Sequence, residues 1–505
     1  MSVIVRAAGS HPANNPEGCL RKYAIEKGTK LESRTGSDRR TFLRNAGLGG
    51  GVLALGPLAA SLAASGSASA APSNGKYDFD TPYNRIGTDC VKWDQAIRDE
   101  HMPKIVAGMG IADMDFECVP VVTAALQKRV NHHNWGYEML DIDLILGNAG
   151  NHPFVKGIID WNHKRYGITN ITPKNLGVTT GVHSGIMPAL RAFAPPGSKV
   201  LMATPIYNAF YFDIYGSKLV ANESVMKYVN GRYEIDWDDL ERRASDPATK
   251  TTILCNPHNP VGRVWTKAEL TRYGEICLKH NVKVLSDEIH CDFVGNGVKY
   301  TPFSTLDDKK IVDNSITFKA ASKSFSLAGL KCAWYFATDP DVFKQVQFWN
   351  RSEVSTLGIV SSQAAYAGGE DWLNQCVDYI DGNQKFANDY IKAKLPLIKV
   401  GSKPEGTYLA WLDVTGLADK IGAQQMADAE NKKPQPINFL TGKPGKVVPD
   451  DMIGHWLAKN AYVQMNPGYT YGSGGTNHMR MNIATSRKTL TAALDSMAGA
   501  MKNLA

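Results

Sequence analysis

Short hydrophobic runs alternate with helical patterns between about residues 175 and 337. Apolar runs predict buried strands at 199–203, 251–255 and 282–286, because a strand covered on both faces carries nearly continuous apolar sequence. Apolar residues at helical spacing predict a crossover helix over 267–280, between the last two strands. This alternation is typical of an α/β fold with three αβα layers and a mainly parallel sheet.

The two ends of the chain flank this core. Residues 119–342 are predicted to form the large domain, and residues 71–118 and 343–505 are predicted to pair as a smaller α/β domain. Two segments interrupt the pattern. We predict a spliced-in loop at 140–153 and a Pro- and Lys-rich surface insertion at 424–450.

The first 70 residues have the features of an export signal. The pair Arg39-Arg40, within Asp38–Arg44, precedes a weakly apolar stretch, 46–64, and Ala68-Ser69-Ala70 has the small-x-small pattern of a cleavage site. This segment resembles a twin-arginine signal. We therefore predict cleavage after Ala70 and export of the folded protein to the periplasm by the twin-arginine machinery. Pro57 and the modest hydrophobicity argue against a stable membrane anchor.

The formal charge of +7 comes mostly from the same segment. Removing its nine basic and four acidic residues takes the charge to +2, so nothing calls for a nucleic-acid partner. Eight cysteines are dispersed without a CxxC pair. Neither a metal site nor a disulfide scaffold is therefore expected.

Polar motifs follow the predicted strands, where α/β sheets place their ligands. Thr180-Gly181-Val182-His183 follows a strand and opens a helix, and the N-terminus of a helix is a potential anion site. Tyr207 follows the next strand. Asn259 lies in a loop, 256–262, that two X-Pro steps and a glycine constrain. Taken singly, each is more often an ordinary turn or a core side chain.

Charged residues continue the series. Asp287 ends the strand at 282–286 and His290 follows one turn later. Lys323, between two serines, comes after another β-rich run, and a buried lysine without a partner loses its proton. Arg480 lies near the C-terminus, and its planar fork matches a carboxylate.

Together these residues supply the five groups that pyridoxal 5′-phosphate (PLP) requires. A lysine amine forms the imine, and an acid keeps the pyridine nitrogen protonated. A helix N-terminus binds the phosphate, an aromatic ring stacks on the cofactor, and a cation binds the substrate carboxylate. The order of the motifs therefore predicts a PLP enzyme that acts on amino acids or amino-acid moieties.

The chain resembles the fold-type I PLP enzymes of the class I/II aminotransferase superfamily, and within it the MalY/PatB-like branch of cystathionine β-lyases. The resemblance runs from about Tyr77 to the C-terminus. It is carried by Trp93-Asp94, Asp113-Met114-Asp115-Phe116, Trp135-Gly136-Tyr137, Ser286-Asp287-Glu288-Ile289-His290, Ser322-Lys323-Ser324-Phe325 and Pro467-Gly468-Tyr469-Thr470-Tyr471-Gly472.

The resemblance implies a role for each matching position. The catalytic residues are Lys323, which forms the imine, Asp287, which pairs with the pyridinium, and Tyr207, which stacks on the ring. Arg480 binds the substrate carboxylate. Tyr137 reaches the phosphate of the neighbouring subunit, so a homodimer with shared sites is expected. The backbone of Gly181, Val182 and His183 holds the phosphate together with Ser322. Asn259 and His290 bind the 3-oxygen, and Lys331 is a further cofactor-binding position.

Two positions depart from the family pattern. Ala320 stands where relatives often have a phosphate-binding serine, and Lys331 stands where many aminotransferases have arginine. As a point charge, Lys331 can still help to bind the phosphate.

These residues do not decide which reaction the substrate undergoes, because transamination and carbon–sulfur β-elimination use the same catalytic residues. We favour a periplasmic transaminase, because export suggests a tailored substrate such as the amino-acid moiety of a secreted peptide siderophore. A cystathionine β-lyase-like enzyme is the alternative. A non-catalytic ligand-binding or regulatory protein is disfavoured, because Lys323, Asp287 and Arg480 are all retained and the N-terminus carries no helix-turn-helix pattern.

Overall fold

The computed structural model describes residues 75–102, 104–146, 149–402, 404–438 and 443–504. The predicted twin-arginine signal lies outside these residues, so its cleavage and the export route stay predictions. Among the helices of the described ranges, none combines the length and the apolar character needed to cross a membrane.

The described residues contain short and long strands from one end of the chain to the other. In order they are β1 (Ala107–Gly108), β2 (Leu176–Thr179), β3 (Lys199–Thr204), β4 (Val220–Val225), β5 (Lys227–Val229), β6 (Arg232–Glu234), β7 (Thr249–Cys255), β8 (Lys283–Asp287), β9 (Ser315–Lys319), β10 (Ala333–Phe336), β11 (Lys399–Val400), β12 (Leu409–Asp413), β13 (Ile437–Asn438), β14 (Lys443–Pro444), β15 (Val463–Gln464), β16 (Asn466–Pro467) and β17 (His478–Asn482).

The α-helices connect and cover these strands. They are α1 (Ala96–Asp99), α2 (Pro120–Val130), α3 (Leu140–Leu146), α4 (Pro153–Tyr166), α5 (Val182–Phe193), α6 (Ala209–Gly216), α7 (Trp237–Ala244), α8 (Lys267–Lys279), α9 (Lys309–Asp313), α10 (Ala321–Ser324), α11 (Pro340–Trp349), α12 (Thr356–Gly368), α13 (Glu370–Lys394), α14 (Thr415–Ile421), α15 (Ala423–Glu430), α16 (Pro449–Ala461) and α17 (Arg487–Lys502). Shorter helical turns lie at Val91–Gln95, Ala149–Asn151, Phe303–Thr305, Ala328–Leu330 and Gly468–Tyr471.

Seven strands form the central sheet, in the order β2-β10-β9-β8-β7-β3-β4. Strand β10 is antiparallel to both of its neighbours, and the other neighbouring pairs are parallel. The carboxyl ends of β2, β3, β7, β8 and β9 therefore lie at the same edge. This is the mainly parallel sheet that the sequence predicts.

The predicted central elements are present. The three predicted strands are β3, β7 and β8, and the predicted crossover helix is α8. Helix α8 begins with a capping box, in which the Thr266 hydroxyl accepts from the Glu269 N–H at 3.2 Å and the Glu269 carboxylate accepts from the Thr266 N–H at 2.8 Å. This cap fixes where the helix begins.

Successive residues of strand β3 pack into different cores. Val200 and Met202 share a cluster with Ile186 of α5, whereas Leu201 shares a cluster with Leu270 of α8. Because side chains alternate across a strand, the two clusters lie on opposite faces of the sheet. Helices therefore cover both faces, and the predicted three-layer α/β architecture is confirmed.

A further core joins residues from both ends of the chain. Phe79 and Trp93 belong to the same buried cluster as Trp372 and Leu494, and the ring centroids of Phe79 and Trp372 are 5.5 Å apart. Strands β11, β12, β17 and β16 form an antiparallel sheet beside this cluster. The predicted domain boundaries at residues 118 and 342 stay predictions.

One of the two interrupting segments differs from the sequence interpretation. The loop predicted at 140–153 is wrong, since α3 and the turn Ala149–Asn151 occupy most of it. Leu140 and Ala149 are fully buried, and this burial favours ordered helix over a surface loop. The segment 424–450 contains most of α15 and the antiparallel pair β13–β14.

Candidate active site

A cavity of about 210 Å³ opens at the carboxyl edge of the central sheet. The segments that follow β2, β3, β7, β8 and β9 line it, as expected for a ligand site in an α/β sheet. The predicted residues that the structure brings together here are Gly181, Val182, His183, Tyr207, Asn259, Asp287, His290, Ser322, Lys323 and Lys331.

Lys323 lies on the short helix α10, just after β9. Its Nζ donates to the backbone oxygen of Ala112 at 2.7 Å. Burial, together with the nearby charge of Arg480, lowers the pKa of the Lys323 amine to about 8. A large fraction of the amine is therefore neutral at mildly alkaline pH, as an imine-forming lysine requires.

Asp287 is the last residue of β8 and is buried. Burial raises the pKa of its carboxyl group to about 7, although the N–H of Ile289, at 3.0 Å, and the charge of Lys323 both oppose this rise. A cation placed beside this carboxyl group would favour its ionised form. The environment of Asp287 therefore suits an acid that pairs with a buried positive charge.

His290 and Asn259 occupy a second wall of the cavity. The Nδ1 atom of His290 is buried and has no hydrogen-bond partner among the described residues. Burial lowers the pKa of His290 well below its usual value, so the ring is neutral. The side-chain oxygen of Asn259 accepts from Nη1 of Arg480 at 3.1 Å. The free ring nitrogen is thus available to a polar group in the cavity.

Helix α5 presents its N-terminus to the cavity. Gly181 is the N-cap, and no side chain caps the first turn. The N–H groups of a first turn have no partner within the helix and carry partial positive charge. A Cβ atom at Gly181 would meet nothing closer than Ser184 Oγ at 3.5 Å, so the approach is open. Ser322 and Lys331 line the same cavity.

Two aromatic residues and one turn complete the lining. Tyr207 packs edge-on against Phe210, with ring centroids 5.4 Å apart. Burial raises the pKa of Tyr207 to about 12, so its phenol stays protonated at neutral pH. Lys331 has φ 53°, in the left-handed region that a lysine rarely adopts. Local backbone strain of this kind is common at binding sites.

Arg480 lies in β17 of the second sheet and is 2% exposed. Its Nη2 donates to the backbone oxygen of Gly110 at 2.6 Å, and its guanidinium lies 5.1 Å from the ring centroid of Tyr471. Its Nε has no partner among the described residues. Arg480 thus bonds to Asn259 of the cavity wall and retains an unused donor for a carboxylate.

Tyr137 is the predicted residue that lies apart from this cavity. Its side chain is fully exposed and lines a separate groove with Trp135 and Ile142. Three contributors were missed from the sequence. They are the backbone of Ala112, the hydroxyl of Tyr408, which donates to Ala112 at 2.9 Å, and the buried Asp213.

The residues present fit PLP. The buried acid, the partly neutral amine and the unpartnered His290 nitrogen match the pyridine nitrogen, the aldehyde carbon and the 3-oxygen of the cofactor. The N-terminus of α5 with Lys331 and Ser322 matches the phosphate. Within the described ranges, no group of three or more His, Cys, Asp or Glu residues could hold a metal ion.

Comparisons with known proteins agree with this chemistry. A family model described as Aminotransferase class I and II matches residues 104–497. Cystathionine beta-lyase PatB of Bacillus subtilis (strain 168) is 33% identical over 423 residues, which cover 82% of this chain and 97% of PatB. The crystal structure of cystalysin from Treponema denticola contains pyridoxal 5′-phosphate. It superposes with a TM-score of 0.73 at 28% identity, covering 85% of this chain and 100% of cystalysin. Aromatic-amino-acid aminotransferase 2 of Thermococcus litoralis is 22% identical, covering 79% of this chain and 92% of that enzyme.

Proposed function

Because the chain belongs to the class I and II aminotransferase family, we propose that this PLP-dependent protein is a carbon–sulfur β-lyase acting on an amino acid with sulfur at Cβ. The 33% identity to a cystathionine β-lyase over 97% of that enzyme carries the proposal. Aromatic-amino-acid aminotransferase 2 of Thermococcus litoralis is 22% identical, so the similarities favour the lyase over the transaminase that we expected from the predicted export.

The substrate carboxylate would bind Arg480, whose Nε lacks a partner among the described residues. Bound PLP supplies a sink for the electron pair that remains when the Cα proton is removed. Lys323 is the group that would take this proton, since its lowered pKa of about 8 leaves about half of the amine neutral at pH 8. Asp287 would hold the proton on the ring nitrogen.

β-Elimination and transamination differ in what happens at Cβ of the substrate. In β-elimination the pair from the Cα–H bond forms a Cα–Cβ double bond, the C–S bond breaks and sulfur leaves as a thiolate. Protonation of the thiolate and hydrolysis of the released enamine then give a thiol, pyruvate and ammonia. A lyase therefore needs no second substrate, whereas a transaminase needs a keto acid to accept the amino group.

The test is a product analysis of the purified holoenzyme with cystathionine and other S-substituted cysteines. A lyase yields pyruvate, ammonia and free thiol in equal amounts without added keto acid, and Lys323→Ala should form them about 10²–10⁴-fold more slowly. Amino transfer to an added keto acid, with no thiol released, would reject the lyase and support the transaminase.

We also propose that the active unit is a homodimer in which Tyr137 completes the site of the neighbouring subunit. Tyr137 is 100% exposed, and Trp135, Met139 and Ile142 beside it are 53%, 70% and 59% exposed. Exposed apolar side chains grouped in this way mark an interaction surface. A second copy of the chain would bury them.

Subunit mixing tests this arrangement. Tyr137→Ala and Lys323→Ala homodimers should each be impaired, whereas a mixed dimer should regain activity because one of its sites holds both native residues. A monomeric mass by light scattering, or no recovery on mixing, would count against the shared site.

We further propose that the protein is exported to the periplasm by the twin-arginine route. The support is the Arg39-Arg40 pair followed by an apolar stretch and Ala68-Ser69-Ala70. In a bacterial host, cell fractionation should find the processed protein in the periplasm. Replacing both arginines with lysine should leave the precursor in the cytoplasm. An unchanged distribution would rule out this route.

A further inference from the structure

His183 and Asp213 form a polar pair at the wall of the cavity. Nδ1 of His183 lies 3.4 Å from Oδ1 of Asp213. The side chain of His183 is 54% exposed, whereas that of Asp213 is 4% exposed. His183 lines the cavity, so its ring is open to a ligand while the acid lies buried behind it.

Asp213 is a buried acid in an otherwise apolar helix. Helix α6 has the sequence AFYFDIYG, in which Asp213 is the one charged residue, and Phe210 and Ile214 beside it are fully buried. Its second oxygen, Oδ2, has no partner among the described residues. Burying a carboxylate with unused hydrogen-bonding capacity is costly. The contact with His183 supplies a polar partner for the Asp213 carboxylate.

The pair favours a protonated imidazole. The hydrogen bond to Asp213 raises the pKa of His183 above its ordinary value of 6.5, although partial burial opposes this. Burial raises the pKa of Asp213, and His183 lowers it. Two other charged groups act on His183. Lys331 disfavours its protonated form, and Asp287 favours it.

The protonated ring adds to an anion site that is already present. His183 is the second residue of α5, next to the uncapped N-terminus at Gly181, and Lys331 and Ser322 line the same cavity. Two cationic side chains and the positive end of a helix repel one another unless an anion lies among them. The phosphate is the dianionic part of PLP.

We propose that the imidazolium of His183, oriented by Asp213, is a ligand of the PLP phosphate. His183 donates a charge-assisted hydrogen bond that exists only while the ring is protonated. Asp213 is a positioning residue that acts through His183. The proposal rests on the cofactor and is independent of the choice between lyase and transaminase.

The test compares the affinity of the cofactor-free protein for PLP and for pyridoxal, which lacks the phosphate, between pH 7 and pH 9. The ratio of the two affinities isolates the phosphate contribution, because imine formation at Lys323 affects both ligands. The phosphate is a dianion throughout this range, since its second pKa is about 6. In the wild-type protein the ratio should fall as the pH rises and His183 loses its proton.

Substitutions separate the two roles. His183→Asn should weaken PLP binding about 10-fold or more at pH 7, leave pyridoxal binding unchanged and remove the pH dependence of the ratio. Asp213→Asn should keep the fall in the ratio but move it to lower pH. Equal thermal unfolding of the cofactor-free proteins would show that the variants fold.

Lys331→Met is the matched control. It removes a cation from the same cavity, so it should weaken PLP binding, but the fall of the ratio with pH should persist because His183 is intact. A pH-independent ratio in the wild-type protein, or a wild-type ratio and pH profile in His183→Asn, would overturn the proposal. Neither result would bear on whether the enzyme is a lyase.

Discussion

The Nζ atom of Lys323 donates a hydrogen bond to the backbone oxygen of Ala112 at 2.7 Å. The two residues are 211 positions apart in the chain. The hydroxyl of Tyr408 donates to the same oxygen at 2.9 Å. A backbone carbonyl does not titrate, so it orients the lysine amine at every pH at which the fold is stable. Ala112 therefore belongs to the site although its side chain carries no chemistry.

We expect Lys323→Ala to lose the covalent attachment of PLP. Borohydride reduction of the wild-type holoenzyme should fix the cofactor to the peptide that contains Lys323, as mass spectrometry would show. The variant should lose this label and about 10²–10⁴-fold in kcat, because it loses the proton-transfer group. Lys331→Ala, in the same cavity, is the control and should keep the label. A label found on Lys331 would reverse the assignment.

We expect Asp287 to make the cofactor-free protein less stable as the pH rises. Its pKa is about 7 in the fold, against an ordinary 3.8, so the folded protein holds an extra proton between these values. The free energy of unfolding therefore falls from about pH 4 to about pH 7, by up to ~4 kcal/mol from this group. Asp287→Asn should have a smaller slope.

Urea unfolding of the cofactor-free wild type and Asp287→Asn at pH 5 and pH 7 measures this difference. Groups common to both proteins cancel in the comparison. Identical pH slopes would show that burial of Asp287 is not coupled to its protonation.

The sequence predicted the site best where the sheet itself places the residues. Asp287 ends β8 and Lys323 follows β9, and these two strands run in the same direction, so the clustering of the two residues follows from the topology. The carbonyl of Ala112 could not be predicted, because a backbone group leaves no compositional signal. Asp213 did leave a signal in the sequence, because it is the single acid in an apolar helix. The helix α3 was missed because its surroundings, and not its short sequence, stabilise it.

We expect Arg480→Lys to raise KM about 10-fold or more with little change in kcat. Lysine keeps the charge but loses the planar fork, and with it the simultaneous bonds to Gly110, Asn259 and a carboxylate. Steady-state kinetics with the substrate identified by the product analysis measures both constants. Arg243→Lys makes the same substitution in an arginine that pairs with Asp239 outside the cavity, and it should leave KM unchanged. An unaltered KM in Arg480→Lys would exclude Arg480 as the carboxylate site.

The segment that carries Ala112 is anchored by a buried ionic cluster. Nζ of Lys92 lies 2.7 Å from Oδ2 of Asp115 and donates to the backbone oxygen of Asp113 at 3.0 Å. The indole of Trp93 donates to Asp115 at 3.0 Å. The side chains of Lys92 and Asp115 are 0% and 3% exposed. These contacts fix the backbone on the C-terminal side of Ala112.

We expect Lys92→Met to destabilise the protein by about 3–5 kcal/mol, because it leaves the charge of Asp115 buried with fewer partners. Asp115→Asn should cost a similar amount by leaving Lys92 without its counter-ion. The double variant Lys92→Met/Asp115→Asn should be less destabilised than the sum of the two single changes, since it leaves neither charge. Urea unfolding of the four proteins gives the coupling free energy. If the losses in the free energy of unfolding are additive, Lys92 and Asp115 stabilise the segment independently. The cluster would then not act as a unit that positions the Ala112 carbonyl beside Lys323.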